Sequence, residues 1–268
     1  MDLPDTLADD LYDFAFCLAF CPEPCYERLV DLANPEPWGE GNRVLKNYLL
    51  FSFKRAVQLT KRDHATAAAP SALPIVFDEG LCLFNTGLYT RRYETVYALF
   101  EPNTREDARQ RWFLKGFFKE SDPALLSFEY LPCRVRFAED PSELVFDYRL
   151  PIRSNIDHIL GDERNLTRIP ASLKGEGNSL LLRRAFEGAV VEAARRAAAN
   201  YTLAVPQFYN GRIQLLLPLC LTGDEPELAL TIQREDGFYS ARTCLTLDMA
   251  YNNARLICRP ESSWIKRG

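Results

Sequence analysis

The sequence predicts an α+β fold, mainly antiparallel sheet with a C-terminal meander, flanked by helices. Three observations carry this reading. Asn210-Gly211 and Asp236-Gly237 each separate two β-rich runs, long helical periodicities occupy the middle of each half, and proline-rich turns punctuate the rest.

From the N-terminus, Asp5 or Thr6 can cap a helix through about Phe20, with Leu7, Leu11, Phe14 and Leu18 on its apolar stripe. Pro22 and Pro24 end it, and a short helix around Tyr26 to Leu32 follows. The stretch Asn34-Pro35-Glu36-Pro37-Trp38-Gly39 is turn chemistry and a candidate linker. Residues 1–40 are therefore expected to form an N-terminal helical extension, and residues 41–268 a single α+β domain. A longer helix spans roughly Arg43 to Arg62, with Leu45, Tyr48, Leu49, Leu50, Phe53 and Val57 inward.

Ala65 to Pro74 reads as a loop, and Ile75 to Leu83, Tyr93 to Phe100 and Leu144 to Leu150 as strands. Trp112 to Phe118 is aromatic-rich and fits either class, and Asn155 to Leu166 is irregular. Asn178 or Ser179 caps a helix to about Ala199, whose apolar face is Leu182, Phe186, Ala189, Val190, Ala193 and Ala197. Two hairpins close the chain, since Asn-Gly and Asp-Gly supply the positive φ angles of a two-residue type I′ loop. No internal sequence repeat is visible.

The bulk composition narrows the functional classes. The 268 residues include 47% hydrophobic and 26% charged side chains, enough for a core that needs no metal or disulfide. A formal net charge of −5 argues against a broad positive field for duplex nucleic acid, though not against a local basic groove. Eight scattered cysteines without a C-x-x-C, and an N-terminus without a basic region before an apolar run, predict reduced thiols in a cytoplasmic protein. No apolar run reaches the length of about 20 residues that a membrane helix needs. P-loop, dinucleotide-binding, G-x-S-x-G and H-E-x-x-H motifs are absent, and the sequence leaves any cofactor unknown.

Candidate site residues come from spacing. In the first hairpin Tyr209 should oppose Arg212 and Gln207 should oppose Gln214, so all four share one face. Such a face can read a base edge or hold a phosphate, and the competing reading is a solvent-facing polar patch. Asp248, Asn252 and Arg255 fall on one side of a helix after the last strand. Asp248 would act as a base or metal ligand, with Asn252 orienting and Arg255 taking a phosphate; an Asp helix cap with an Asp–Arg pair is the structural alternative. His158 is one of two histidines, the other being His64, and is admissible as an acid or base or as a structural residue. Asn85 within Phe84-Asn85-Thr86-Gly87-Leu88, placed at a strand end, could build a small anion nest or an ordinary turn. Cys17, Cys21 and Cys25 recur every four residues but lack a fourth ligand, so they read as core rather than as an iron–sulfur site.

Several longer segments carry a resemblance. They are Phe84-Asn85-Thr86-Gly87-Leu88, Asp157-His158-Ile159-Leu160, Asn200 through Tyr209, Gln214 through Leu221, and Leu245 through Leu256. Together they resemble the domain of unknown function 3825, from about Asn47 to Trp264. The resemblance implies no settled activity and transfers no catalytic residues. Relatives joined to RNA-associated modules, such as cold-shock-like or LOTUS-type domains, tilt the expectation toward RNA or nucleotide metabolism. The expected function is thus RNA or nucleotide binding, with a nucleotide or single-stranded RNA as partner; whether the chain is also an enzyme, a phosphodiester or nucleotide hydrolase, is left open by the sequence. A non-catalytic protein-interaction or regulatory module is the alternative.

Overall fold

The computed structural model describes residues 19–65, 69–78, 80–107, 112–174, 179–261 and 264–265. Cys17, Asn178 and the helix expected from Asp5 lie outside these, except for the helix's end at Ala19 and Phe20. The chain divides into two units, Met1–Val135 and Arg136–Gly268.

In the first unit Ala19–Phe20 is a short strand, β1, rather than the end of a helix. It is followed by helices α1 (Glu23–Leu32) and α2 (Arg43–Ala65) and strands β2 (Ile75–Asp78), β3 (Leu81–Tyr89), β4 (Thr95–Pro102) and β5 (Trp112–Lys119). The sheet order is β1-β5-β4-β3-β2, with β1 parallel to β5 and every other pairing antiparallel. The residues expected to form a separate extension thus pair with this sheet through β1 and pack on it through α1, whose Tyr26 ring meets Phe117 at 6.5 Å. The run expected as one strand from Ile75 to Leu83 is a hairpin, turned at Gly80 with φ +81°. The ambiguous aromatic tract at 112–118 lies in β5.

Period-two alternation buries both faces of this sheet. On one face Phe84 meets Phe53 of α2 edge-on at 5.2 Å, and Phe100 meets it at 6.2 Å. On the other, Val76, Leu83, Tyr97 and Leu99 pack with Leu125 and Phe128.

The Asn85 segment is not at a strand end. It forms a bulge inside β3, where the pairing with β4 shifts between Asn85 and Leu88. Asn85 Nδ2 donates to the Pro132 carbonyl at 2.9 Å, and its Oδ1 accepts from the Gly87 N–H at 2.9 Å. Tyr48 Oη donates to the Thr86 carbonyl at 2.8 Å. Gly87 has φ +70°, and a Cβ there would stand 2.6 Å from Tyr48 Oη. Gly87→Ala should therefore cost about 1–3 kcal/mol in urea unfolding, from strain and hydroxyl displacement. Tyr48→Phe should absorb part of that cost when combined with it; a Gly87→Ala protein as stable as wild type would refute the close approach.

The second unit contains β6 (Ile152–Ser154), α3 (Ile156–Gly161), α4 (Glu163–Arg168), α5 (Ser179–Ala199), β7 (Val205–Tyr209), β8 (Arg212–Leu219), β9 (Leu228–Glu235), β10 (Phe238–Thr246) and α6 (Leu247–Arg255). The buried residues of α5 are the six expected. The stretch at 144–150 is not a strand. Asp140 caps a 3₁₀ turn, Pro141–Leu144, and Asp147 turns the chain by accepting from Arg149 at its backbone N–H and guanidinium. Those guanidinium bonds hold the Asp147 carboxyl at about 2. The supposedly irregular 155–166 stretch holds α3 and α4, capped by Asn155 and Asp162.

Both hairpins form, and Tyr209 opposes Arg212 as Gln207 opposes Gln214. Asn210 and Gly211 have φ of +48° and +79°, as a type I′ loop requires. In the second hairpin only Gly237 takes a positive φ, so that loop is of another type.

The two sheets share one plan. The second has order β6-β10-β9-β8-β7, again with the first strand parallel to the last and a four-strand meander between. A bulge interrupts the last hairpin of each, leaving Lys115 and Arg242 without an opposing residue. Counted from that bulge, Ala19 opposes Trp112 as Ile152 opposes Tyr239, and Phe20 opposes Phe113 as Arg153 opposes Ser240. The chain is a tandem of two β-α-β4 units, a repeat that the residues themselves conceal.

Candidate functional site

The paired amides of the first hairpin meet inside the second unit rather than at its surface. Strand register sets Gln207 beside Gln214, and Ser240 between Gln233 and Arg153. Gln207 is 2% exposed and Gln214 7% exposed, so they are neither a solvent-facing patch nor open contacts for a ligand.

Their polar atoms form a one-way chain. Asn253 Nδ2 of α6 donates to Gln207 Oε1 at 2.9 Å, and Gln207 Nε2 donates to Gln214 Oε1 at 2.9 Å. Gln214 Nε2 donates to Gln233 Oε1 at 3.2 Å, and Gln233 Nε2 to Glu235 Oε1 at 3.2 Å. Ser240 Oγ donates to the same carboxylate at 3.1 Å, and the Arg242 guanidinium completes the cluster. A carboxylate only accepts, so Glu235 sets the direction of every amide back to α6. Arg242 first, then Ser240, holds the Glu235 carboxyl below its usual range, with the Arg212 charge adding to the effect.

Beyond the chain, the hairpin end of this sheet face is open. Tyr209 is 54% exposed beside the exposed Arg212. Phe238 opposes Glu235, and the Arg153 guanidinium lies 4.4 Å from the Phe238 ring centroid. Two aromatic rings and the cations Arg153, Arg212 and Arg242 thus spread across this face from one edge strand, β6, to the other, β7, with Glu235 as the carboxylate among them. Rings flanked by guanidinium groups can stack a base and neutralise a phosphate.

The other expected residues disperse. Asp248 is exposed in the first turn of α6, where Thr246, not Asp248, caps the helix by accepting from the Met249 N–H. Asn252 donates to the Asp248 carbonyl at 3.0 Å, and its Oδ1 is buried without a partner among the described residues. Arg255 is 5% exposed and belongs to the interior. His158 is exposed on α3, its backbone N–H donating to the capping Asn155. Asn85 is engaged in the β3 bulge of the first unit. Spacing missed Asn253 and Gln233; extending the hairpin register by one strand would have found Gln233. Among the described residues no group of three or more His, Cys, Asp or Glu is placed to hold a metal, and no helix is long and apolar enough to cross a membrane.

Fold and site define the class: a tandem α+β protein whose second sheet carries a buried amide chain and an aromatic–arginine edge. The chain belongs to the family described as domain of unknown function (DUF3825), whose model matches residues 29–264. That match begins inside α1, ahead of the Asn47 expected. No curated protein sequence and no solved structure matches the chain.

Proposed function

We propose that the chain binds single-stranded RNA or a nucleotide at the open end of the second sheet. The observation that carries this reading is that one sheet face presents exposed Tyr209 and Arg212 at the β7–β8 hairpin and Phe238 under the Arg153 guanidinium at the opposite edge. Rings accept any base by stacking, and the arginines add a local positive field on a chain that is acidic as a whole. The buried amides act as supports that fix the strands bearing these groups. Hydrolysis finds less support: Asp248 and His158 are exposed on separate helices, and Arg255 is buried.

The test is titration of a fluorescein-labelled cytidylate tetramer by anisotropy. Tyr209→Ala and Arg153→Ala should each weaken binding about 5- to 150-fold, the range expected for one stacked base. Arg212→Ala should flatten the dependence of log K on log salt by about 0.7, one phosphate contact on a single strand. Binding of the tetramer that none of the three substitutions changes would eliminate this reading.

A specific observation also favours the protein-interaction alternative. Leu180, Leu181 and Val191 are exposed on α5. In that case Leu181→Glu would abolish partner capture while leaving tetramer binding untouched.

A further inference from the structure

We infer that the first unit carries a second stacking site for single-stranded RNA or a nucleotide, beside β1, the strand that stands where β6 stands in the second unit. The inference rests on the same stacking chemistry, but on different residues. The equivalence is one of register: Phe20 occupies on β1 the place of Arg153 on β6, and Lys115 occupies on β5 the place of Arg242 on β10.

Each unit shows a similar arrangement beside that position, offset by two residues: Phe238 lies four residues before the bulged Arg242 and Phe113 two before Lys115, and each ring opposes its glutamate. A residue of the first strand lies against an aromatic ring of the last: Arg153 over Phe238, and Phe20 stacked on Phe113 at 5.9 Å and 22°. The bulged cation pairs with a glutamate of the preceding strand, Arg242 with Glu235 and Lys115 with Glu101 at 3.5 Å.

In the first unit Phe20, Phe113 and Glu101 line a cleft of about 550 Å³ together with Asn103, Arg105 and Asp107. Phe20 is 49% exposed, so a large ring face is open beside that cleft. The chemistry fits a base carrying a phosphate. Phe20 and Phe113 supply the stacking surface and Arg105 a cation, while the Asp107 carboxylate can accept from an exocyclic amine, as on cytosine. Lys115 neutralises Glu101, which would otherwise repel the phosphate.

The experiment counts cytidylate tetramers bound per chain by calorimetry, in wild type and in two sets of variants. Wild type should bind two. Phe20→Ala should leave one, and so should Arg105→Ala, a loop substitution outside the sheet that keeps the test valid if loss of Phe20 disturbs β1. The Tyr209→Ala/Arg153→Ala double variant should also leave one, and combining it with Phe20→Ala should leave none. A single tetramer lost in the Tyr209/Arg153 variant but untouched by Phe20→Ala and Arg105→Ala overturns this inference and leaves the proposed function standing. A single tetramer lost with Phe20→Ala alone supports the inference and overturns the proposed function. No binding at all overturns both.

Discussion

Phe53→Ala should lower the unfolding free energy by about 3–5 kcal/mol, the range for deleting a fully buried aromatic side chain. Phe53 is fully buried on α2, edge-on to Phe84 at 5.2 Å and tilted against Phe100 at 6.2 Å. It is the point at which the long helix grips two neighbouring strands of the first sheet. Part of the cost is lost transfer energy, and the rest is the cavity left when rings on two rigid strands cannot collapse inward. Phe53→Leu keeps much of the volume and loses the ring contacts, so it should cost roughly half as much. Urea unfolding measures both. A Phe53→Ala protein within 1 kcal/mol of wild type would mean that α2 is not seated as described.

How much of this was legible in the sequence varies with the signal each element carries. The apolar face of α5 could be read residue by residue, because six turns of helix average out local noise. The register of the first hairpin followed from two residues, Asn210 and Gly211, whose backbone preferences leave little freedom. Shorter elements escaped. Helices α3 and α4 have six residues each, too few for a periodicity, and their caps Asn155 and Asp162 went unread. The hairpin at Gly80 reads as one strand although Asp78-Glu79-Gly80 interrupts the apolar residues there; the short apolar runs on either side, buried on both faces, give no alternation to separate them.

The tandem plan was invisible for another reason. Register is a property of backbone pairing, and equivalent positions need only fit their own surroundings. Phe20 stands where Arg153 does, and Phe113 where Ser240 does. The site followed the same logic. Helical spacing from Asp248 selected Asn252, yet its neighbour Asn253, about 100° further round the helix, is the one bonded to the sheet.

The amide chain yields the other large effect. Gln214 sits in its middle, so Gln214→Leu strands two buried groups at once: the Nε2 donor of Gln207 and the Oε1 acceptor of Gln233. Each such group costs about 1–3 kcal/mol when left unpaired, so the substitution should cost about 2–6 kcal/mol despite the added apolar side chain. The energy belongs to the unmet groups rather than to the bonds, and this makes the prediction sharper. Replacing Gln207, Gln214 and Gln233 together by leucine leaves only the ends to satisfy. Asn253 and Glu235 are both partly exposed and can turn to water, while Glu235 keeps Ser240 and Arg242. The triple variant should therefore be destabilised by clearly less than the sum of the three single substitutions. Additive losses would show that the amides act as independent surface-like groups, and the chain that ties α6 to Glu235 would have no energetic reality. Sub-additive losses would establish Glu235 as the anchor that orders this sheet face and, through it, the strands that present Tyr209, Arg212 and Phe238.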